Sequence, residues 1–331
     1  MTSREIVQAS LAFAGPPRIA YGMGGGFPSD IRHVGRKPAL NSRAKPWTHH
    51  TGYWEMVDEW GNTWRRLESI TKGEVFRGVI EESWDLLDSY EFPRVDAPEL
   101  YQDAAEQCRR YHEEGYYVLG GVDWPFNTAR YMRKLETFLA DVLEEPERTE
   151  DLLWRITHLI EREIQRYADC GVDGVMAGED WGTQDRLLVS PRCWRRMFKP
   201  CFAYLCAAAK SRGLTVWLHS CGHVTEVLDD WVEVGISVCQ FDQPELHGID
   251  YLSQRFGGRM HFWCPVDIQR ALPTRDIGRI RAAAKEYIDK LGRFGGGFIA
   301  GYYGSNEALD LPPEYQAAAC QAFMEYGQLE R

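Results

Sequence analysis

The residues that can do chemistry cluster at two strand ends. His219-Ser220-Cys221-Gly222 follows the apolar run 214–218, and Cys264 closes another apolar run at 260–263. Side chains two apart on an extended segment point the same way, so His219 and Cys221 share a face. A thiolate and an imidazole suit zinc, and three protein ligands with one position left open form the pattern of a catalytic zinc site. Cys264 is the expected third ligand. Glu179, at the end of the run 174–178, is the candidate for a fourth, displaceable ligand; its plainer alternative is a carboxylate held by an arginine or a helix N-terminus. Asp180 beside it is expected to point elsewhere. His223 opens a helical segment and reads as a cap or an exposed residue.

These positions need a scaffold. Short apolar runs at 116–121, 174–178, 214–218, 237–241, 260–263 and 297–300 read as buried strands. Helical stretches separate them: one containing Phe138 to Leu143, then 150–170, 191–210, 224–233, 248–256, 275–291 and 312–326. Strands alternating with helices call for a parallel sheet. With an early strand near 18–21, seven strands are readable, and an eighth is expected within the irregular region 45–95. The fold class predicted is an α/β (β/α)8 TIM barrel, whose active site lies at the C-terminal ends of the strands. Alternate strands feed one side-chain layer, so Cys264, two strands after Cys221, is a sensible partner. Gly24-Gly25-Gly26 follows the first strand without opening a helix in a nucleotide-binding pattern, and reads as a loop. Residues 1–331 read as a single domain, with 23–95 as an irregular N-terminal extension over the barrel mouth.

Composition narrows the function. The 331-residue chain is 44% hydrophobic, enough for a sizeable core, and its net charge of -11 argues against nucleic acid or an anionic membrane surface as partner. No apolar run reaches the roughly 20 residues that span a bilayer, and Met1 to Ile6 lacks the order of a signal peptide, so a cytoplasmic protein is expected. Nine scattered cysteines do not make a disulfide scaffold; apart from Cys221 and Cys264 they read as core fillers. Of 12 tryptophans, Trp47, Trp54, Trp60, Trp64 and Trp84 fall in the first third, as core or as an aromatic pocket.

Several segments together resemble a known family. Arg4-Glu5-Ile6-Val7 leading to Pro17-Arg18-Ile19, then Pro125-Phe126-Asn127-Thr128, Phe138-Leu139 and Glu145-Pro146-Glu147 are similar to signatures of the uroporphyrinogen decarboxylase superfamily. So are Glu179 to Gln184, Ser190-Pro191 and Leu311-Pro312-Pro313-Glu314. His219-Ser220-Cys221-Gly222 with Cys264 resembles the metal motif of its zinc-dependent corrinoid methyltransferase branch, and the arginine-rich N-terminal signature of true decarboxylases is missing. The resemblance implies zinc at the barrel mouth, held by His219, Cys221, Cys264 and Glu179, and a methylcobamide (cobalamin) carried by a separate corrinoid protein. Such a metal either polarises the leaving oxygen of a methoxylated substrate or activates a thiol acceptor. The aromatic first third leans toward O-demethylation of a methoxylated, aromatic small molecule. Trp181, Gln184, Asp242, Tyr302, Tyr303 and Asn306 are the substrate-binding candidates. A methylcobamide:thiol methyltransferase is the alternative, and a metal-free decarboxylase, with Arg18, Arg32 and Arg36 as anion binders, is the rival. A non-catalytic relative that binds corrinoid or a partner protein at the mouth is the remaining reading. Exposed aromatics would be consistent with a homodimer.

Overall fold

The structure is a computed structural model that describes residues 1–69 and 71–329. Strands β1 (Ala20–Gly22) and β2 (Ile31–Val34) come first. A small antiparallel sheet follows, of β3 (Lys45–His50), β4 (Tyr53–Val57), β5 (Thr63–Arg66) and β6 (Glu74–Arg77). The remaining strands are β7 (Tyr117–Gly121), β8 (Gly174–Gly178), β9 (Thr215–His219), β10 (Val238–Gln240), β11 (His261–Cys264) and β12 (Phe298–Gly301).

Eight of these strands pair in parallel, in the order β1-β12-β11-β10-β9-β8-β7-β2, with helices between successive strands from β7 onward: a (β/α)8 barrel. The seam between β1 and β2 is tied by one side chain rather than by a ladder. Asp30 accepts from the Tyr21 amide at 2.8 Å and from both terminal nitrogens of Arg18 at 2.7 Å, while its own amide donates to the Tyr21 carbonyl. Inward residues fill the barrel as a cluster of their own, including Ile31, Tyr117, Leu119, Trp217, Val238 and Ile299, with Trp217 edge-on to Trp263 at 5.7 Å. Ile6 and Val7 of the helix Ser3–Leu11 join that cluster. Outward residues pack against the helices in a second, larger cluster. Among the described residues, no helix is long and apolar enough to cross a membrane.

The six strands read between residues 116 and 300 lie where the sequence places them, within a residue or two. The eighth barrel strand is a correction. It is β2, not a strand inside 45–95; those residues hold the separate antiparallel sheet instead. At four residues, with Arg32 and His33 at its centre, β2 carries too little apolar signal to stand out.

The small sheet is anchored beside the barrel mouth. Trp60 Nε1 donates to Asp123 Oδ2 just past β7, at 3.2 Å, and Trp64 meets Tyr131 edge to face at 4.7 Å. Arg36, two residues past β2, makes the central tie. Its guanidinium pairs with Glu59 (2.6 Å) of the extension and with Glu163 (2.5 Å) of the helix Pro146–Asp169. Removing one partner of a buried pair leaves an uncompensated charge. Arg36→Met is therefore expected to destabilise the protein by about 3 kcal/mol, read as a lowered urea midpoint at unchanged slope.

Candidate metal centre at the barrel mouth

The pairing of β8 with β9 aligns Gly178 with His219 and continues beyond both strands. The Glu179 amide donates to the His219 carbonyl (2.8 Å), Gly182 to Cys221 (3.2 Å) and His223 to Thr183 (2.7 Å). The two backbones approach so closely that a Cβ on Gly222 would sit 2.0 Å from the Gly182 oxygen, and one on Gly182 would sit 2.3 Å from the His223 nitrogen. Gly222 also has φ +79°, a conformation that side chains resist.

Period two then decides which side chains meet. Met176 and Gly178 on β8 and Trp217 and His219 on β9 face inward, so Asp180 and Cys221 do too. One ligand atom from each of Asp180, His219 and Cys221 lies within 4.8 Å of the other two. His219 Nε2 is 3.3 Å from Cys221 Sγ and 3.5 Å from Asp180 Oδ1, and the Cys221 amide donates to that same oxygen at 3.0 Å. On the far side of the ring, Nδ1 meets Gln240 Oε1, and Gln240 Nε2 donates to Asp242 Oδ1 at 2.9 Å. Burial lowers the affinity of His219 for a proton, but the hydrogen bonds of Asp180 and Cys221 outweigh it and hold the imidazole well above 6.5. The Asp180 carboxyl, despite burial, is held well below the carboxylate range by His219, the Cys221 amide and Arg130.

The donor set fits zinc. Carboxylate, imidazole and thiolate are all zinc ligands, and the two closest donor separations match the roughly 3.5 Å between neighbouring donors of a tetrahedral ion. Gln240 supplies the outer hydrogen bond that fixes the ring orientation of a metal-binding histidine.

Two expected ligands lie apart from this cluster. Glu179 faces away from the mouth, in the alternation that brings Asp180 in. Fully buried, it accepts from the Phe126 and Asn127 amides at the start of the helix Pro125–Arg133 and from Trp181 Nε1 at 2.8 Å. Burial pushes its carboxyl up to about 8 against those three donors. Cys264 is also fully buried, but on the outer face of β11, because its neighbour Trp263 faces the barrel interior. Burial pushes its thiol well up. It joins no ligand cluster among the described residues.

The substrate candidates divide. Trp181 is fully buried, stacked on Phe126 at 3.8 Å behind the site, and Gln184 is exposed on the following loop. Asp242 orients Gln240. Tyr303 lies two residues past β12, and burial, then the charges of Asp242 and Cys221, raises its phenol. Tyr302 lies on the glycine loop, where a Cβ on Gly25 would come within 2.5 Å of its ring, and its hydroxyl accepts from Asn306 at 2.9 Å. Asn306 is braced in turn by Gln316. The residues that sequence reasoning missed are Asp180 and Gln240; counting inward positions along β8 and β10 in register finds both.

A parallel (β/α)8 barrel with three candidate donors gathered at its C-terminal mouth is the class of structure these residues build. Residues 75–326 match the family described as Uroporphyrinogen decarboxylase (URO-D), and the chain belongs to that family. Among solved structures, a methyltransferase from Methanosarcina mazei superposes with TM-score 0.67 at 16% identity, over 98% of this chain and 99% of that one. An L-ribulose 3-epimerase follows at 0.45 and 12% identity, over 68% of this chain and 79% of that one. The first of these is a likeness of fold. No curated protein matches the chain by sequence.

The geometry yields two predictions. Gly222→Ala forces a side chain into the left-handed region and against Gly182; a loss of about 2 kcal/mol or more is expected, with weakened metal retention, read by urea unfolding and metal analysis. His247, buried against Phe241 and bonded to Thr225 Oγ1 at 3.0 Å, is pushed down to about 3 by burial and then by His223. The unfolded chain takes up that proton more readily, so the stability present above pH 6.5 is lost as pH falls toward 3. About 2 kcal/mol is lost by pH 5 through this group, and His247→Gln is expected to lack that component when urea midpoints at pH 7.5 and 5 are compared.

Proposed function

We propose that the protein is a zinc-dependent methyltransferase moving a methyl group between a methoxylated small molecule and the cobalt of a corrinoid held by a separate protein. The observation that carries this reading is the convergence of Asp180, His219 and Cys221 at the open end of the barrel. Family membership and the shared fold of a methyltransferase support it. When bound, zinc supplies Lewis acidity to the oxygen that leaves the methyl group.

The protein's own residues prepare that site. Gln240 holds Nδ1 of His219 and leaves Nε2 facing Cys221 and Asp180. Ligation needs the Cys221 thiol deprotonated and the His219 ring neutral. Tyr303 and Asp242 flank the cluster, where Tyr303 can orient the substrate. His33 on β2 and Gly121 at the end of β7 are exposed, and on this reading a protein-borne cobamide would approach from that side.

The decarboxylase rival takes three arginines as anion binders. Arg18 is tied to Asp30, Arg32 lies over the Tyr116 ring and Arg36 pairs with Glu59 and Glu163, so all three proposed anion binders are committed elsewhere.

Metal analysis of the purified protein tests the reading. About one zinc per chain is expected for wild type, Cys264→Ser and Glu179→Gln, with loss in Cys221→Ser and Asp180→Asn. Metal-free wild type, prepared without chelators, overturns it. Methoxylated arenes are then screened with a Co(I) corrinoid protein, following the cobalt absorption spectrum for methyl transfer.

A further inference from the structure

A cavity of about 460 Å3 lies between the β5–β6 part of the small sheet and the helix Pro125–Arg133, and Asp180 forms part of its wall. The two oxygens of Asp180 face different ways. Oδ1 turns to His219 and the Cys221 amide, whereas Oδ2 lies 3.7 Å from Arg130 Nη2. The cavity and the candidate metal centre are therefore separated by one side chain.

Its lining combines aromatic walls with convergent cations. Trp64 and Tyr131 meet edge to face, and the Tyr131 hydroxyl is 3.4 Å from both Lys72 Nζ and Arg130 Nη2. Two like charges gathered on one hydroxyl repel each other, and an anion bound between them relieves this. Among the described residues Lys72 makes no ion pair, and the one ion pair of Arg130 is the loose contact to Asp180; Arg130 Nε donates to Asn127 Oδ1 at 2.7 Å, and Nη1 is left as an available donor. The other carboxylates on the lining, Glu74 and Glu136, are exposed. Lys72 lies 5.6 Å from the Trp64 and Tyr131 ring centres, and Arg130 4.9 Å from that of Tyr131, so the protein's own cations already take the places a cationic ligand would seek.

We infer that this cavity is the substrate subsite and that it takes an aromatic carboxylate, the acid group held by Lys72, Arg130 and the Tyr131 hydroxyl and the ring lying against Trp64 and Tyr131. The inference rests on the methyltransferase reading for the role of the adjoining centre. Arg130 and Asp180 both line the cavity, so the anion anchor and the candidate metal centre adjoin through Asp180.

Calorimetric titration of purified protein with 4-methoxybenzoate, benzoate and uncharged methoxybenzene tests the assignment, with zinc content measured on the same samples. Both acids are expected to bind about tenfold or more tightly than methoxybenzene, and Lys72→Met and Tyr131→Phe to weaken the acids alone. Zinc content and melting temperature are expected to be unchanged in these variants. Equal affinity for acid and uncharged ether, no binding of either acid at millimolar concentration, or unaltered acid binding in Lys72→Met overturns the subsite. Metal-free protein that still binds the acids through Lys72 instead overturns the methyltransferase reading and leaves the anion site standing.

Discussion

The site depends on how closely two backbones run past the ends of β8 and β9. Gly182 and Gly222 let the ladder continue into what would otherwise be divergent loops, and the hydrogen bonds from Gly182 to Cys221 and from His223 to Thr183 lock it there. Asp180 and Cys221 consequently inherit the inward orientation of the strands before them. A third donor, His219, comes from the last residue of β9. Three candidate ligand atoms are thus positioned by sheet geometry rather than by a flexible loop, which is how a rigid scaffold presents reactive groups accurately.

Adjacent carboxylates in this arrangement have opposite fates, and environment alone separates them. Asp180 faces a histidine, an amide and an arginine, and stays ionised. Glu179, one residue earlier, points into the wall, where burial favours its neutral form even with three N–H donors around it. Its place at the start of the helix Pro125–Arg133 orients the element that carries Arg130 and Tyr131. The inner wall and the outer cavity are therefore coupled through neighbouring residues of one strand end.

The antiparallel sheet gives this barrel a second wall at its mouth. Arg36 ties the sheet's flank to a barrel helix, and Trp60 and Trp64 seat it against Asp123 and Tyr131. A cavity results that neither unit has alone, with one wall from β5 and β6 and the other from the helix after β7. Tryptophans that composition leaves ambiguous between core and pocket serve as both: Trp64 is 5% exposed yet lines the cavity.

The alternation of apolar strands and amphipathic helices after residue 115 determined the barrel, because burial on both faces of a parallel strand leaves a plain apolar signature. The sequence also determined that His219 and Cys221 share a face, since period two is a local property of any extended segment. It did not determine the third partner. Whether Glu179 or Asp180, and whether Cys264, faces the mouth is a matter of phase, set by how each strand is registered against its neighbours, and a shift of one residue reverses the answer. Tertiary structure alone fixed that phase: Trp263 filling the barrel interior turned Cys264 outward, and the Gly182–Gly222 contact carried Asp180 inward. It likewise placed β2, too short and polar to announce itself, and assembled the cavity from segments distant in the chain, because long-range packing leaves no periodic trace in either segment.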